Sequence, residues 1–202
     1  MTLDPPKATV RPSAARRRLL SAADELFYAQ GIDATGVDAI IEAAEVARMT
    51  FYKHFRGKDT LVVAYLQARD ARWNELLTHA LEGVGDDPRA RLIAVFDALG
   101  SCHADPDFRG CSFANAAAEL AHRDHPARAV VTDHKKALRE DLTRLTQQAG
   151  FANVGLLVDT LLMLYEGATT TQALGSVENA IGKARTTVQR LLDSWPTDDD
   201  GL

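Results

Sequence analysis

The sequence predicts an all-α protein, and three features lead to that prediction. Apolar positions recur at steps of three and four residues, no stretch alternates apolar and polar residues between hairpin turns, and glycine or proline punctuates the chain at helix-length intervals. About nine helices are expected, the first three forming a small N-terminal unit and the rest a larger body.

Ser13 can cap a helix over Ala14–Gln30, whose inner stripe is Leu19, Ala22, Ala23, Leu26 and Phe27, with Gly31 as its stop. A short second helix follows from Val37 to about Ala44, with Val37, Ile40, Ile41 and Ala44 on one face, and a third runs near Ala47–Phe55. The Gly57-Lys58-Asp59 break opens a longer helix to about Leu81, and a turn from Gly83 to Asp87 leads to Pro88, which starts the next helix to about Cys102. Asp105-Pro106 marks another turn. Helices are then expected from about Phe108 to Ala121, from Pro126 to Ala149, from Asn153 to about Leu174 and from Ser176 to Trp195, with Gly150 and Gly175 as stops. The organisation read from this is a flexible basic arm (1–12), a helix-turn-helix domain (13–57), a helical body (58–196) and a disordered tail (197–202).

At 202 residues and 22.0 kDa, with 46% hydrophobic and 25% charged residues, the composition sits near the soluble globular average. It excludes wholesale disorder and collagen-like repeats, and two cysteines are too few for a secreted disulfide framework. Asp4, Pro5 and Pro6 occupy the place of a signal peptide's apolar core, and Asp159 interrupts the longest oily stretch, so the expectation is a cytoplasmic protein without a membrane span. The net charge of -5 is uneven. Residues 1–60 hold nine Lys/Arg against eight Asp/Glu, and Lys7, Arg11, Arg16, Arg17 and Arg18 face only Asp4, so the N-terminal edge suits a polyanion while the body is acidic.

The last two helices differ in kind. Apolar residues from Leu156 to Tyr165 surround the penultimate helix, which therefore needs cover on opposite sides. In the final one Val177, Ile181, Ala184, Val188, Leu191 and Trp195 alternate steps of four and three, a seam for helix pairing. Both can pack within one chain; the expectation is a two-fold homodimer through these helices.

Thr35–Leu61, TGVDAIIEAAEVARMTFYKHFRGKDTL, is the most informative segment. A short apolar-faced helix, a turn at Ala44-Glu45-Val46 and a second helix with Phe51 and Phe55 inward make a helix-turn-helix. The second helix turns Met49, Thr50, Tyr52 and Lys53 outward, with Arg48 at its start and His54 flanking the buried side. That mixture of cation, hydroxyl, phenol and methyl suits the major groove and its phosphate walls. The run Thr35, Val37, Ile40, the Val46 turn and Thr50-Phe51-Tyr52-Lys53-His54-Phe55 followed by Lys58 resemble the DNA-binding domain of the TetR (tetracycline-repressor-like) family of bacterial regulators. The resemblance covers about residues 14–62, with a weaker likeness of Arg109–Glu119 to one subgroup. It implies base contacts from Arg48, Met49, Thr50 and Lys53, phosphate contacts from Tyr52, His54 and Lys58, and Thr35 and Gly36 completing the contact set. Gly36 stands where a capping Ser or Thr is usual, and Glu45 where the family usually has Gly. Because a left-handed backbone strains a non-glycine residue, an ordinary right-handed turn is expected at Glu45.

The family further implies a dimeric ligand-sensing body, and a repressor released from a palindromic double-stranded operator by a small hydrophobic effector. Phe96, Leu99, Phe113, Asn115, His134, Leu138, Leu162, Tyr165 and Thr169 are the candidate pocket, a mostly apolar lining with a few polar groups; taken singly, each reads as core before it reads as lining. Ligand would wedge these helices, tilt the long Lys58–Leu81 helix and change the separation of the two heads. Cys102 and Cys111, near successive helix ends, are candidates for redox or electrophile sensing or for inert packing. No cofactor or metal site is indicated. With no phosphate loop, nucleophile elbow or zinc motif, an enzyme is not expected. A helical protein-interaction scaffold without DNA binding is the other class, and it leaves the Arg48–Lys58 face without a purpose.

Overall fold

The computed structural model describes residues 13–102, 108–122 and 124–198, and these form nine helices joined by short turns. They are α1 (Ala14–Gln30), α2 (Val37–Ala43), α3 (Arg48–His54), α4 (Lys58–Gly83), α5 (Pro88–Cys102), α6 (Ser112–Glu119), α7 (Ala127–Gln148), α8 (Val154–Ala173) and α9 (Ala180–Ser194). The expected arm over 1–12, the Asp105-Pro106 turn and residues 199–202 of the tail lie outside the described residues. No helix among the described residues is long and apolar enough to cross a membrane.

Local chemistry sets most boundaries. The Ser13 side chain accepts the Arg16 N–H at 3.2 Å and starts α1. Gly150 and Gly175, at φ +69° and +63°, stop α7 and α8 by letting the chain turn left-handed so that following N–H groups reach back to the last helical carbonyls. Two helices are shorter than predicted. Gly110 (φ +92°) delays α6, because the Tyr28 hydroxyl takes the Arg109 N–H (2.8 Å) and donates to the Gly110 carbonyl (3.0 Å), tying this segment to α1. Asn179 at φ 51° delays α9, whose first N–H, from Ala180, is met by Gln172 Oε1 at 2.9 Å.

The predicted disordered tail starts too early at 197. Thr197 pairs with Phe151 in an isolated antiparallel bridge, Asp198 N–H donates to Gly150 O (3.0 Å), and Trp195 Nε1 donates to Ala152 O (2.8 Å). The chain end therefore clamps the α7–α8 turn.

Two buried clusters organise the packing. One joins Leu19, Phe27, Ile40, Phe51 and Phe55 of the first three helices to Leu61–Leu66 of α4 and to Phe113, Ala116 and Leu120 of the α6 region. The other joins Trp73 and Leu77 of α4 to α5, α7, α8 and α9. α4 thus belongs to both. The α9 seam is corrected by this packing: Ile181, Ala184 and Val188, with Leu192 rather than Leu191, are buried within the chain against α5 and α8, and Val177 precedes the helix. On α8, Leu156 (62% exposed) and Met163 (66%) stay outside, and Leu174 (74%) continues their stripe.

Thr146 on α7 is fully buried, and its Oγ1 has no hydrogen-bond partner among the described residues. Replacing it with the isosteric Val removes an unsatisfied polar group, so Thr146→Val should raise unfolding free energy by about 1 kcal/mol. Urea denaturation of the two proteins checks this; an unchanged or lower midpoint means the hydroxyl is satisfied in solution.

Candidate nucleic-acid interface and ligand pocket

The geometry of α3 follows from its two phenylalanines. Phe51 and Phe55 are buried and stack obliquely at 5.9 Å, which fixes the helix face and leaves Arg48, Met49, Tyr52 and Lys53 exposed along the opposite arc. Tyr52 packs edge-on against Phe51 at 5.2 Å, so its phenol projects from a fixed base. Thr50 and His54 are half-buried, and His54 Nε2 lies 3.0 Å from Ser13 Oγ. Arg48 is paired with Asp38 of α2 at 3.1 Å. Both are largely exposed, so the pair orients the guanidinium while contributing little stability. Lys58 Nζ donates to Asp33 O at 3.3 Å, which sets this ammonium at the start of α4 beside the head. Gly36 is exposed as the N-cap of α2 and offers no side-chain cap.

Two expectations are corrected here. Thr35 is 1% exposed and its hydroxyl donates to Gly31 O at 2.7 Å, so it locks the α1–α2 turn from inside and has no side-chain surface to offer DNA. Glu45 is left-handed, at φ 51°. The Glu45 and Val46 N–H groups reach back to Glu42 O (3.0 Å) and Ile41 O (3.3 Å), and Arg18 Nε donates to Ala44 O at 3.1 Å. Those bonds hold a conformation that costs an L-residue about 1–2 kcal/mol.

A cavity of about 340 Å³ opens where α1 meets the body. Of the predicted lining, Leu99, Phe113, His134, Tyr165 and Thr169 face it. The others do not: Phe96 and Leu138 are interior to the body core, Leu162 packs on the outside of that core, and half-buried Asn115 donates Nδ2–H to Arg109 O at 3.1 Å. Sequence reasoning missed Asp24, Tyr28, Arg69, Arg72 and Trp73. Arg69, Arg72 and Trp73, spaced three and four apart on one helix face, were the available signal.

The Asp24 carboxylate serves two guanidiniums, Arg69 Nε at 2.7 Å and Arg72 Nη2 at 2.6 Å, both on its Oδ1. Arg69 also donates to Ser112 Oγ at 2.9 Å and lies 4.0 Å above the Tyr28 ring. Beside it His134 Nδ1 meets Asp70 Oδ1 at 2.7 Å while its ring stacks on Phe113 at 3.6 Å. Burial lowers the His134 pKa, and the Asp70 hydrogen bond only partly opposes that. A neutral imidazole with Nδ1–H toward Asp70 leaves Nε2 as an acceptor. Burial pushes the Tyr165 phenol well up.

Both cysteines are free thiols lining this cavity. Cys102 is exposed on its solvent side, yet desolvation by the protein around it raises its pKa against the opposing pull of Arg69. Cys111, the N-cap of α6, has Lys135 Nζ 3.5 Å from its sulfur, and the same ammonium meets Glu166 at 2.5 Å. Burial works against the Lys135 charge, but Cys111 and Glu166 outweigh it and raise the pKa.

α6 links the cavity to the head. Its C-terminal Glu119 accepts the Asp33 N–H at 3.0 Å, and the carboxylate lies 2.9 Å from where a Cβ on Gly31 would stand. Any side chain at position 31 would displace that contact, and φ +95° there already favours glycine.

Comparison with known proteins gives a consistent picture. Residues 19–65 match the model of bacterial regulatory proteins of the tetR family, and residues 88–188 that of the tetracyclin repressor-like C-terminal domain. The transcriptional repressor NemR of Escherichia coli K12 is 30% identical over 81 residues, 40% of this chain and 41% of that protein. The regulator TcmR of Streptomyces glaucescens is 34% identical over 97 residues, 47% of this chain and 41% of that protein. The chain thus spans about two-fifths of the length of these relatives. A TetR-family transcriptional regulator of known structure from Streptomyces coelicolor superposes with a TM-score of 0.82 at 33% identity, over 89% of this chain and 95% of that one.

The lowered His134 pKa makes a signed prediction. Below the ordinary histidine value of about 6.5 the unfolded chain takes up a proton that folded His134 refuses, so its contribution is intact above that pH and lost as pH falls toward the folded pKa. Urea midpoints measured on either side of that value should show a steeper acid-side decline in the wild type than in His134→Gln. Equal slopes would place the His134 pKa at its ordinary value.

Proposed function

The chain belongs to the tetR family of bacterial regulatory proteins, and on that premise we propose that it is a DNA-binding transcriptional regulator, a repressor released from its operator by a small molecule. The supporting observation is the outward arc of Arg48, Met49, Tyr52 and Lys53 on a helix whose other face is anchored by Phe51 and Phe55. Arg48, Met49, Thr50 and Lys53 read base edges; Tyr52, His54 and Lys58 hold phosphates, with the Gly36 backbone beside them. The bound partner is a pseudo-palindromic duplex met by two heads, its half-sites about 34–36 Å apart or further by whole helical turns. The second head comes from a homodimer through α8 and α9, for which Leu156, Met163 and Leu174 form an uncovered apolar stripe.

The effector occupies the cavity lined by Leu99, Phe113, His134, Tyr165 and Thr169, and shifts operator affinity by a coupling energy of about 1–3 kcal/mol. A second reading, response to an electrophile, is favoured by the Lys135 ammonium beside Cys111 at the start of α6. Alkylation with iodoacetamide separates the two: loss of operator binding in wild type and Cys102→Ser but not in Cys111→Ser supports it.

Retention of genomic fragments by the purified protein identifies the operator, and failure to retain any at low salt overturns the reading. On that operator Lys58→Ala and Tyr52→Phe should weaken binding to all sequences; Lys58→Ala flattens the salt slope by about one unit, and Tyr52→Phe, which removes no charge, leaves the slope unchanged. Arg48→Ala should instead change sequence preference. A full salt slope in the Lys58 variant would remove its phosphate role.

A further inference from the structure

We propose that the cavity takes a small aromatic anion whose carboxylate draws Arg72 away from Asp24. The inference rests on the ligand-responsive reading above and names the ligand class.

Charge at the cavity wall leads there first. One carboxylate, Asp24, answers two guanidiniums, so a positive charge is left over. Asp24 is the only carboxylate among the described lining residues; Asp70, which accepts from His134, and Glu166, which meets Lys135, do not line the cavity. The Arg72 side chain is 54% exposed and has N–H groups beyond the one that holds Asp24, so it can engage an incoming carboxylate with parallel hydrogen bonds.

The apolar end sets the rest of the molecule. Trp73, Tyr165 and the Phe113–His134 stack give flat walls suited to a ring. Tyr165 is only 4% exposed, yet its hydroxyl has no hydrogen-bond partner among the described residues. At the cavity wall that hydroxyl is open to a polar atom from outside the protein. The volume, near the lower end of the usual ligand range, fits one or two fused rings.

The same chemistry supplies the coupling. Asp24 belongs to α1 in the head, whereas Arg69 and Arg72 belong to α4. A ligand carboxylate that takes Arg72 leaves the buried Asp24–Arg69 pair in place and removes one of the two ionic ties between α1 and α4, so occupancy and head position are coupled.

The test is calorimetry on the full chain without DNA, using naphthoate, naphthamide and naphthylmethylammonium as matched probes. Naphthoate should bind about tenfold or more tightly than the amide, with the ammonium weakest. Arg72→Gln should cost naphthoate about tenfold and remove its advantage over the amide. Asp24→Asn should tighten naphthoate, a gain that general destabilisation would not produce. Equal or tighter binding of the amide or ammonium, unchanged naphthoate affinity in Arg72→Gln, or no saturable naphthoate binding at millimolar concentration overturns the proposal. If the ammonium binds and weakens operator retention, the anion assignment falls while the regulator reading stands; if no genomic fragment is retained, that reading falls and the calorimetry still decides the ligand class.

Discussion

Asp24 is one carboxylate between two guanidiniums, and much of the architecture depends on it. The pair with Arg69 is about four-fifths buried on both sides, so neither member could lose the other without leaving a poorly solvated charge, a cost of several kcal/mol. The cluster fixes α1 against the middle turns of α4, and Arg69 then lies flat over Tyr28 and reaches Ser112 at the start of α6. Three elements are thereby set around one polar knot, with the cavity beside it. The remaining polar ties between head and body are individual contacts, such as Tyr28 to Gly110, Glu119 to Asp33 and Lys58 to Asp33 O.

The exposed arc of α3 is firm for a related reason. Helices as short as α2 and α3 are unstable alone, and their stability comes from what they are packed against. Phe51 and Phe55 enter a cluster that includes Leu61–Leu66 of α4 and Phe113 and Ala116 of α6, so the underside of the head is completed by body residues. Arg16 over the Phe55 ring and Arg18 on the Ala44 carbonyl bring the basic stretch of α1 onto the same unit. Basic residues with structural partners here also leave positive charge beside the exposed arc of α3.

What could be read from the sequence divides along the same line. Helix ends governed by nearby residues were legible, as at Ser13, Gly31, Gly150 and Gly175, because the cap and its partner lie within a few positions. The exposed arc of α3 was legible because Phe51 and Phe55 fix the phase of the helix. Contacts between distant positions were not: Asp24 with Arg69 and Arg72 is 45 and 48 residues apart, and nothing local marks which acid meets which base. The same limit explains α9, whose alternating seam suits an internal neighbour as well as a partner chain; at Thr35 the partner carbonyl, Gly31 O, is only four residues back, and it was the burial of the side chain that the sequence did not mark. At Glu45 the local rule favoured a right-handed turn, and the backbone bonds to Ile41 and Glu42 outweighed it.

The clamp at the chain end bears on how two copies would meet. Trp195 on Ala152, Pro196 accepting from Ala152 and Asp198 donating to Gly150 fasten the base of the α8–α9 pair to the turn that precedes it. The two helices are thus preorganised, with little freedom left to slide or splay. Less ordering entropy is then lost on association, so a modest apolar stripe goes further toward a stable assembly than the same stripe on a loose hairpin.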